Sequence, residues 1–239
     1  EFGLLKNLIK KLTKINEIDL SLLVTGSHLS AIHGETIKEI LENGFEINGK
    51  INLNLKSDSP RDIAKATANG IEGFSKVFYN TRPNLLIVLG DRYEILSAVL
   101  PACYENIPIA HIHGGEVTEG AFDDLIRHSV TKLSNIHFVT NQIHKKRLIN
   151  MGENPKNVYD VGGIGAELIS KEKKYSKKYL EKFLGIKLNK KLILVSLHPE
   201  TNSKNINYTS LFSALKKIRK EFIIIFTSPN SDPGNEIIF

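Results

Sequence analysis

The chain has 239 residues, 41% of them hydrophobic, a formal charge of +6 and one cysteine, Cys103. That length allows a sizeable core in one or two domains, and one cysteine excludes a disulfide framework, which suits a reducing, cytoplasmic setting. No apolar run approaches the roughly 20 residues that span a bilayer, and the lysines are spread over helix faces without the aromatic-and-basic stripe of a nucleic-acid binder. Neither a membrane nor a nucleic acid is therefore expected as a partner. A modest positive field would still help attract a phosphorylated metabolite.

Gly3 to Ile15 places Leu4, Leu5, Leu8, Ile9, Leu12 and Ile15 at helical spacing, a lysine-bearing amphipathic start unlike a secretory signal. Leu20 to Val24 reads as a strand closing at Thr25-Gly26-Ser27-His28, and Thr36 to Asn43 as a short helix stopped by Gly44. Ile51, Leu53 and Leu55 alternate in an extended segment. Pro60 opens a helix to about Tyr79, followed by a Leu85–Leu89 strand. Tyr93 to Asn106 is helical with a kink or early turn at Pro101, and Cys103 within it is expected as a small core residue. The strand Ile107–Ile112, the helix Phe122–Leu133, the strand His137–Thr140, the helix Gln142–Met151 and the strand Val158–Val161 complete the series. Strands separated by helices, over and over, predict an α/β fold with a parallel, doubly wound sheet.

Gly162-Gly163-Ile164-Gly165 reads as a hinge, and Ser170 to Lys191 as a lysine-rich helical or loop region. A second unit follows: strand Leu192–Ser196, helix Tyr208–Lys220, strand Phe222–Phe226. Two domains are expected, 1–165 and 166–239, the second incomplete because so small a sheet would leave apolar surface exposed.

In parallel α/β sheets, ligands sit beyond the carboxyl ends of the strands. Two neighbouring strand ends here carry Gly90-Asp91-Arg92 and His113-Gly114-Gly115-Glu116, with Asp123, Asp124, Arg127 and His128 just downstream. Asp91 can act as a base, orient a hydroxyl or cap a helix. Arg92 can neutralise a phosphate or pair with a neighbouring carboxylate. Gly114 and Gly115 can free backbone N–H groups for an anion, and His113 and Glu116 can both move protons near neutrality. Asp124 shares a helix face with Arg127 or His128. His111, inside its strand, is expected to be buried and hydrogen-bonded. No metal is expected, since the histidines lack paired zinc-type spacing, and neither a Walker loop nor Gly-x-Gly-x-x-Gly follows a strand.

Gly90-Asp91-Arg92-Tyr93-Glu94, His111 to Gly120 and Asp123-Asp124-Leu125-Ile126-Arg127-His128 together resemble the UDP-N-acetylglucosamine 2-epimerases, in particular the hydrolysing branch that supplies sialic-acid-type sugars. Thr25-Gly26-Ser27-His28-Leu29, His198-Pro199 and Pro229 to Gly234 add to the match. The resemblance implies two Rossmann-like domains of the glycosyltransferase-B type, the first lacking its opening strand here. It implies no cofactor, a UDP-sugar substrate and a homodimer. Asp91, His113, Glu116, Asp123 and Asp124 would supply acids and bases. Arg92, Gly114, Gly115, Arg127, His128, His198 and Asn230 would bind the substrate. His113 stands where relatives carry glutamate, which leaves open whether His113 or Glu116 is the acid or the base. Also open are a non-hydrolysing outcome, a 4-acetamido-6-deoxy sugar of the legionaminic type, and a non-catalytic nucleotide-sugar binding module.

Overall fold

The structure, a computed structural model, describes residues 2–30, 35–171, 174–197 and 208–227. It divides into two compact units, Glu1–Ser170 and Lys171–Phe239.

The first unit runs α1 (Phe2–Leu12), β1 (Leu23–Thr25), α2 (Ile37–Glu42), β2 (Gly49–Ile51), α3 (Pro60–Thr81), β3 (Leu86–Leu89), α4 (Tyr93–Tyr104), β4 (Ile109–Ile112), α5 (Asp123–Leu133), β5 (Ile136–Val139), α6 (Gln142–Asn150), β6 (Val158–Asp160) and α7 (Ile164–Lys171). Every strand pairing is parallel: β1 with β2, and β3-β4-β5-β6 in that order. Parallel strands covered on both faces lose the apolar/polar alternation of half-exposed ones. β4 is the clearest instance, with all four of its residues buried.

The ends of α3 are written locally. Ser59 caps it by accepting from the Asp62 amide at 3.2 Å, Pro60 occupies the first turn, and Arg82 closes it in the left-handed region at φ 43. Its packing on α4 needs a glycine: a methyl group at Gly70 would lie 2.4 Å from Ser97 Oγ. Around that contact Phe74, Phe78, Ala98, Val99 and Ala102 join Val88 and Ile109 in the main core.

The registers align the strand ends. Leu89, Ile112 and Phe138 are successive neighbours across β3, β4 and β5. The ladder then continues into the loops, where Gly90 N–H donates to Ile112 O at 3.0 Å and His113 N–H to Phe138 O at 2.9 Å. Three loops, opening at Gly90, His113 and Thr140, therefore lie side by side at the carboxyl edge.

Four expectations change. α4 closes at Tyr104, two residues earlier than expected, with Pro101 inside its last turn. Cys103 falls on the exposed side of that helix and is not a core residue. The first strand begins at Leu23, three residues later than expected. Ile164 and Gly165, expected in a hinge, open α7, and the first unit extends to Ser170.

The second unit contains α8 (Lys177–Leu184), β7 (Lys191–Val195), α9 (Thr209–Ile218) and β8 (Phe222–Phe226), with β7 and β8 parallel. Leu192 and Leu194 on β7 are 47% and 62% exposed, the apolar exposure expected of two strands. Among the described residues no helix is long and apolar enough to cross a membrane.

Candidate active site at the carboxyl edge of the sheet

Arg127 is the hub. It lies on α5 and is only 4% exposed, so its guanidinium must find acceptors inside the protein. One terminal nitrogen, Nη2, pairs with Asp91 Oδ2 and donates to Thr118 Oγ1 at 2.9 Å. The other, Nη1, donates to Asp124 Oδ1 at 3.1 Å and to the Glu116 carbonyl at 3.0 Å. One buried cation thus gathers two carboxylates and the start of the β4–α5 loop. The carboxylates remain within reach of a ligand, the side chains of Asp91 and Asp124 being 24% and 27% exposed.

Asp91 is delivered to this hub from below. His111 Nε2 lies 2.8 Å from the Gly90 carbonyl, which can only accept, so that nitrogen carries the ring proton. Nδ1 then accepts from Thr131 Oγ1 at 3.2 Å. Burial pushes the His111 imidazole down to about 4, against the opposing pull of the Gly90 carbonyl. It is a neutral strut under the turn that carries Asp91, the buried and hydrogen-bonded role expected for it.

The loop after β4 is held in a demanding shape. His113 adopts φ 68, a left-handed conformation that side chains other than glycine and asparagine rarely take. Its Nδ1 lies 3.3 Å from Glu116 Oε1. Gly115 has φ 80, and a methyl group there would lie 2.5 Å from Leu148 Cδ1 and 2.8 Å from the His144 carbonyl. Gly114 and Gly115 are both buried, and these contacts give Gly115 a packing reason of its own: α6 approaches the loop too closely for any side chain. From α6, Arg147 Nη1 also donates to the Gly115 carbonyl.

The remaining expected residues fall as follows. Arg92 pairs with Glu94, with Nε 3.2 Å from Oε2. His128 Nε2 lies 3.6 Å from Asp124 Oδ2, so the i, i+3 and i, i+4 spacing does bring Asp124, Arg127 and His128 onto one face. Asp123 opens α5 and is half-buried, while its neighbour Asp124 is the carboxylate bound to Arg127. Arg127, expected to bind the substrate, directs its terminal nitrogens to four protein acceptors. His198 and Asn230 lie outside the described residues.

Four residues at this edge escape a reading of sequence alone: Thr118, Thr140, His144 and Arg147. Thr140 lies 3.4 Å from Glu116 Oε1 and 2.7 Å from His144 Nδ1 through its hydroxyl. Its signal was available, since it is the first residue past a third apolar strand, the same position that singled out Gly90 and His113.

Comparison with known proteins points in one direction. The sequence profile of the family described as UDP-N-acetylglucosamine 2-epimerase matches residues 10–239. Over its whole length the chain is 38% identical to the GDP/UDP-N,N'-diacetylbacillosamine 2-epimerase (hydrolyzing) of Campylobacter jejuni and covers 62% of that protein. It is 36% identical to the UDP-N,N'-diacetylbacillosamine 2-epimerase (hydrolyzing) of Legionella pneumophila, again over all of this chain and 63% of the relative. The chain thus spans less than two thirds of the relatives it matches. Among solved structures, the UDP-GlcNAc 2-epimerase of Neisseria meningitidis bound to UDP-GlcNAc superposes with a TM-score of 0.75 at 23% identity, over 94% of this chain and 62% of that one. This likeness shows the fold: α/β with parallel sheets, of the glycosyltransferase-B type.

Proposed function

The chain belongs to the UDP-N-acetylglucosamine 2-epimerase family, and on that premise we propose that the full-length protein is a hydrolysing 2-epimerase of a UDP-linked 2-acetamido sugar. The observation that carries the reading is the convergence of Asp91 and Asp124 on buried Arg127, beside the His113–Glu116 pair, at aligned strand ends.

The chemistry asks for that arrangement. A C2–H bond next to an acetamido group is very weakly acidic, so its proton leaves only to a positioned base while the C1–O bond to UDP breaks. The electrons of C2–H become the C1=C2 double bond of a 2-acetamidoglucal, and UDP carries away the pair from C1–O. Water then adds to C1, its oxygen forming the new bond and its spare proton passing to a base, and an acid on the opposite face returns a proton to C2. Free 2-epimerised sugar and UDP result. Two proton-transfer groups on different faces of the ring are needed, and the edge offers two sets: Asp91 with Asp123 and Asp124, and His113 with Glu116. Arg127 is read as the organiser of the carboxylates. The diphosphate is assigned to Arg92, His198, Asn230 and helix N-termini.

The sugar is read as N,N'-diacetylbacillosamine, with its 4-acetamido-6-deoxy decoration, in preference to N-acetylglucosamine. Support comes from two relatives named for that substrate, at 38% and 36% identity, and a 36% identical Escherichia coli relative named for polysialic acid biosynthesis makes N-acetylglucosamine the second arm of the test. The test is incubation of full-length protein with each UDP-sugar in deuterated water. Deuterium at C2 of a released sugar, one UDP per sugar and faster turnover of the bacillosamine nucleotide are expected. Deuterated sugar still linked to UDP would make the enzyme non-hydrolysing, and binding without turnover would make it a binding module.

A further inference from the structure

We propose that Thr140 and His144 are positioning residues for the His113–Glu116 pair: a one-way hydrogen-bond chain from His144 through Thr140 fixes the Glu116 carboxylate, leaving His113 Nε2 as the atom that accepts a proton. The proposal rests on the epimerase reading and assigns the acid–base question that the sequence leaves open.

The direction of the chain follows from counting protons. An ionised carboxylate only accepts hydrogen bonds, and a hydroxyl has one proton to give. Glu116 Oε1 lies between Thr140 Oγ1, at 3.4 Å, and His113 Nδ1, at 3.3 Å. If Thr140 gives its proton to the carboxylate, its oxygen must accept the 2.7 Å contact from His144, whose Nδ1 then carries hydrogen. The reverse orientation would set a hydroxyl lone pair against the carboxylate oxygen and forfeit a charge-assisted bond. His113 obeys the same rule. Its Nδ1 lies within ion-pair distance of the carboxylate, where a ring N–H is favoured over a lone pair, and that choice puts the lone pair of a neutral His113 on Nε2. That nitrogen is buried and has no hydrogen-bond partner among the described residues. An acceptor left unmatched at such a site calls for an explanation, and a proton-accepting role supplies one.

The fold holds each link in place. Asn141 caps α6 by accepting from the His144 amide at 3.0 Å, which sets the first turn and aims the imidazole back at Thr140. His113 keeps its left-handed backbone because its N–H is tied to Phe138 O at 2.9 Å and the next carbonyl but one, that of Gly115, is gripped by Arg147. Burial pushes the His144 imidazole below the usual histidine range. Glu116 opposes that shift, and Arg147, Arg127 and His113 add to it. His144 is therefore neutral near pH 7, where the position of its single ring proton has meaning.

The experiment uses full-length protein labelled with 15N-histidine, in wild-type form and as Thr140→Val and Thr140→Ser. In the wild type, long-range 1H–15N spectra should show His144 and His113 both protonated on Nδ1. Thr140→Val, which keeps the shape and deletes the hydroxyl, should move His144 toward the Nε2–H tautomer. It should lower kcat about 10- to 100-fold, the usual cost of an outer-shell partner, with KM unchanged. Thr140→Ser should restore both the tautomer and kcat. A wild-type His144 protonated on Nε2, or a Thr140→Val enzyme with wild-type kcat, overturns the proposal. If the wild type releases no UDP from any UDP-sugar, the epimerase reading fails, and the tautomer spectra still decide the chain.

Discussion

The four-stranded sheet carries a histidine–carboxylate–cation cluster at each end. At the carboxyl edge, His113, Glu116, Asp91, Asp124 and Arg127 meet around loops, and the acidic side chains are 24–32% exposed. At the amino edge, Glu153 accepts from Lys132 Nζ at 2.5 Å and faces His137 Nε2 at 3.1 Å, with side-chain exposures of 11% for Glu153 and 1% for His137. The residue types are nearly the same and the geometries are comparable. The amino-edge histidine sits within strand β5, sealed by packing, whereas the carboxyl-edge groups sit on loops and the first turn of α5, held by a buried arginine yet open on one side. What separates a candidate site from a structural clamp is therefore which end of the strands it occupies and whether its carboxylates still meet solvent.

Asp91 gives that contrast its hardest test. Asp91→Asn keeps the shape and a hydrogen-bond acceptor for Arg127 but removes the charge. In full-length protein it should cut UDP release by about a thousandfold, within the range for loss of a general acid or base, while circular dichroism and the thermal midpoint stay near wild type. Steady-state UDP release measured on the better of the two sugar nucleotides checks this. Near-normal turnover removes Asp91 from the mechanism and makes the carboxyl-edge cluster as structural as the other.

Much of this was legible in sequence. The runs that become β3 and β4 stand out because strands covered on both faces are largely apolar, and Ser59-Pro60 announces the start of α3 through its cap. Asp124, Arg127 and His128 declare their shared face by spacing alone. The inward turn of Arg127 was hidden, because Asp91 is 36 positions away and reaches it only once β3 lies beside β4. His144 was hidden for the same reason, since it joins the site through the β4–β5 pairing, whereas Thr140 could have been picked out as the residue that follows the next strand.

His111 belongs to both regions. By register it pairs with His137 in the buried row of the sheet, yet its ring proton goes to Gly90, at the foot of Asp91. With a folded value of about 4 and an unfolded value of 6.5, His111 stays neutral in the native state while the unfolded chain takes up a proton. Its contribution to stability is thus complete above pH 6.5 and falls as the pH drops toward 4, by about 3 kcal/mol in all. His137 is displaced in the same direction by burial and adds to the loss. Denaturant unfolding of full-length protein at steps between pH 7 and 4 should show this decline, and His111→Gln should flatten it. Equal slopes for the two proteins would mean that His111 is not the neutral strut its contacts describe.

The smallest effect is expected at the amino edge. Glu153→Gln keeps one oxygen for Lys132, sets an amide NH2 opposite His137 Nε2, and loses the charge that both of them face. Lys132 is 51% exposed, so its pairing is worth little, and what remains is one hydrogen bond to a nearly sealed imidazole, about 1 kcal/mol. The unfolding free energy from denaturant titration should fall by that amount, and kcat should not change. A clear loss of kcat with the fold intact would mean that the amino edge communicates with the reacting groups through the buried His137–His111 row. The contrast between a site and a clamp would then have to be replaced by a single coupled network spanning the sheet.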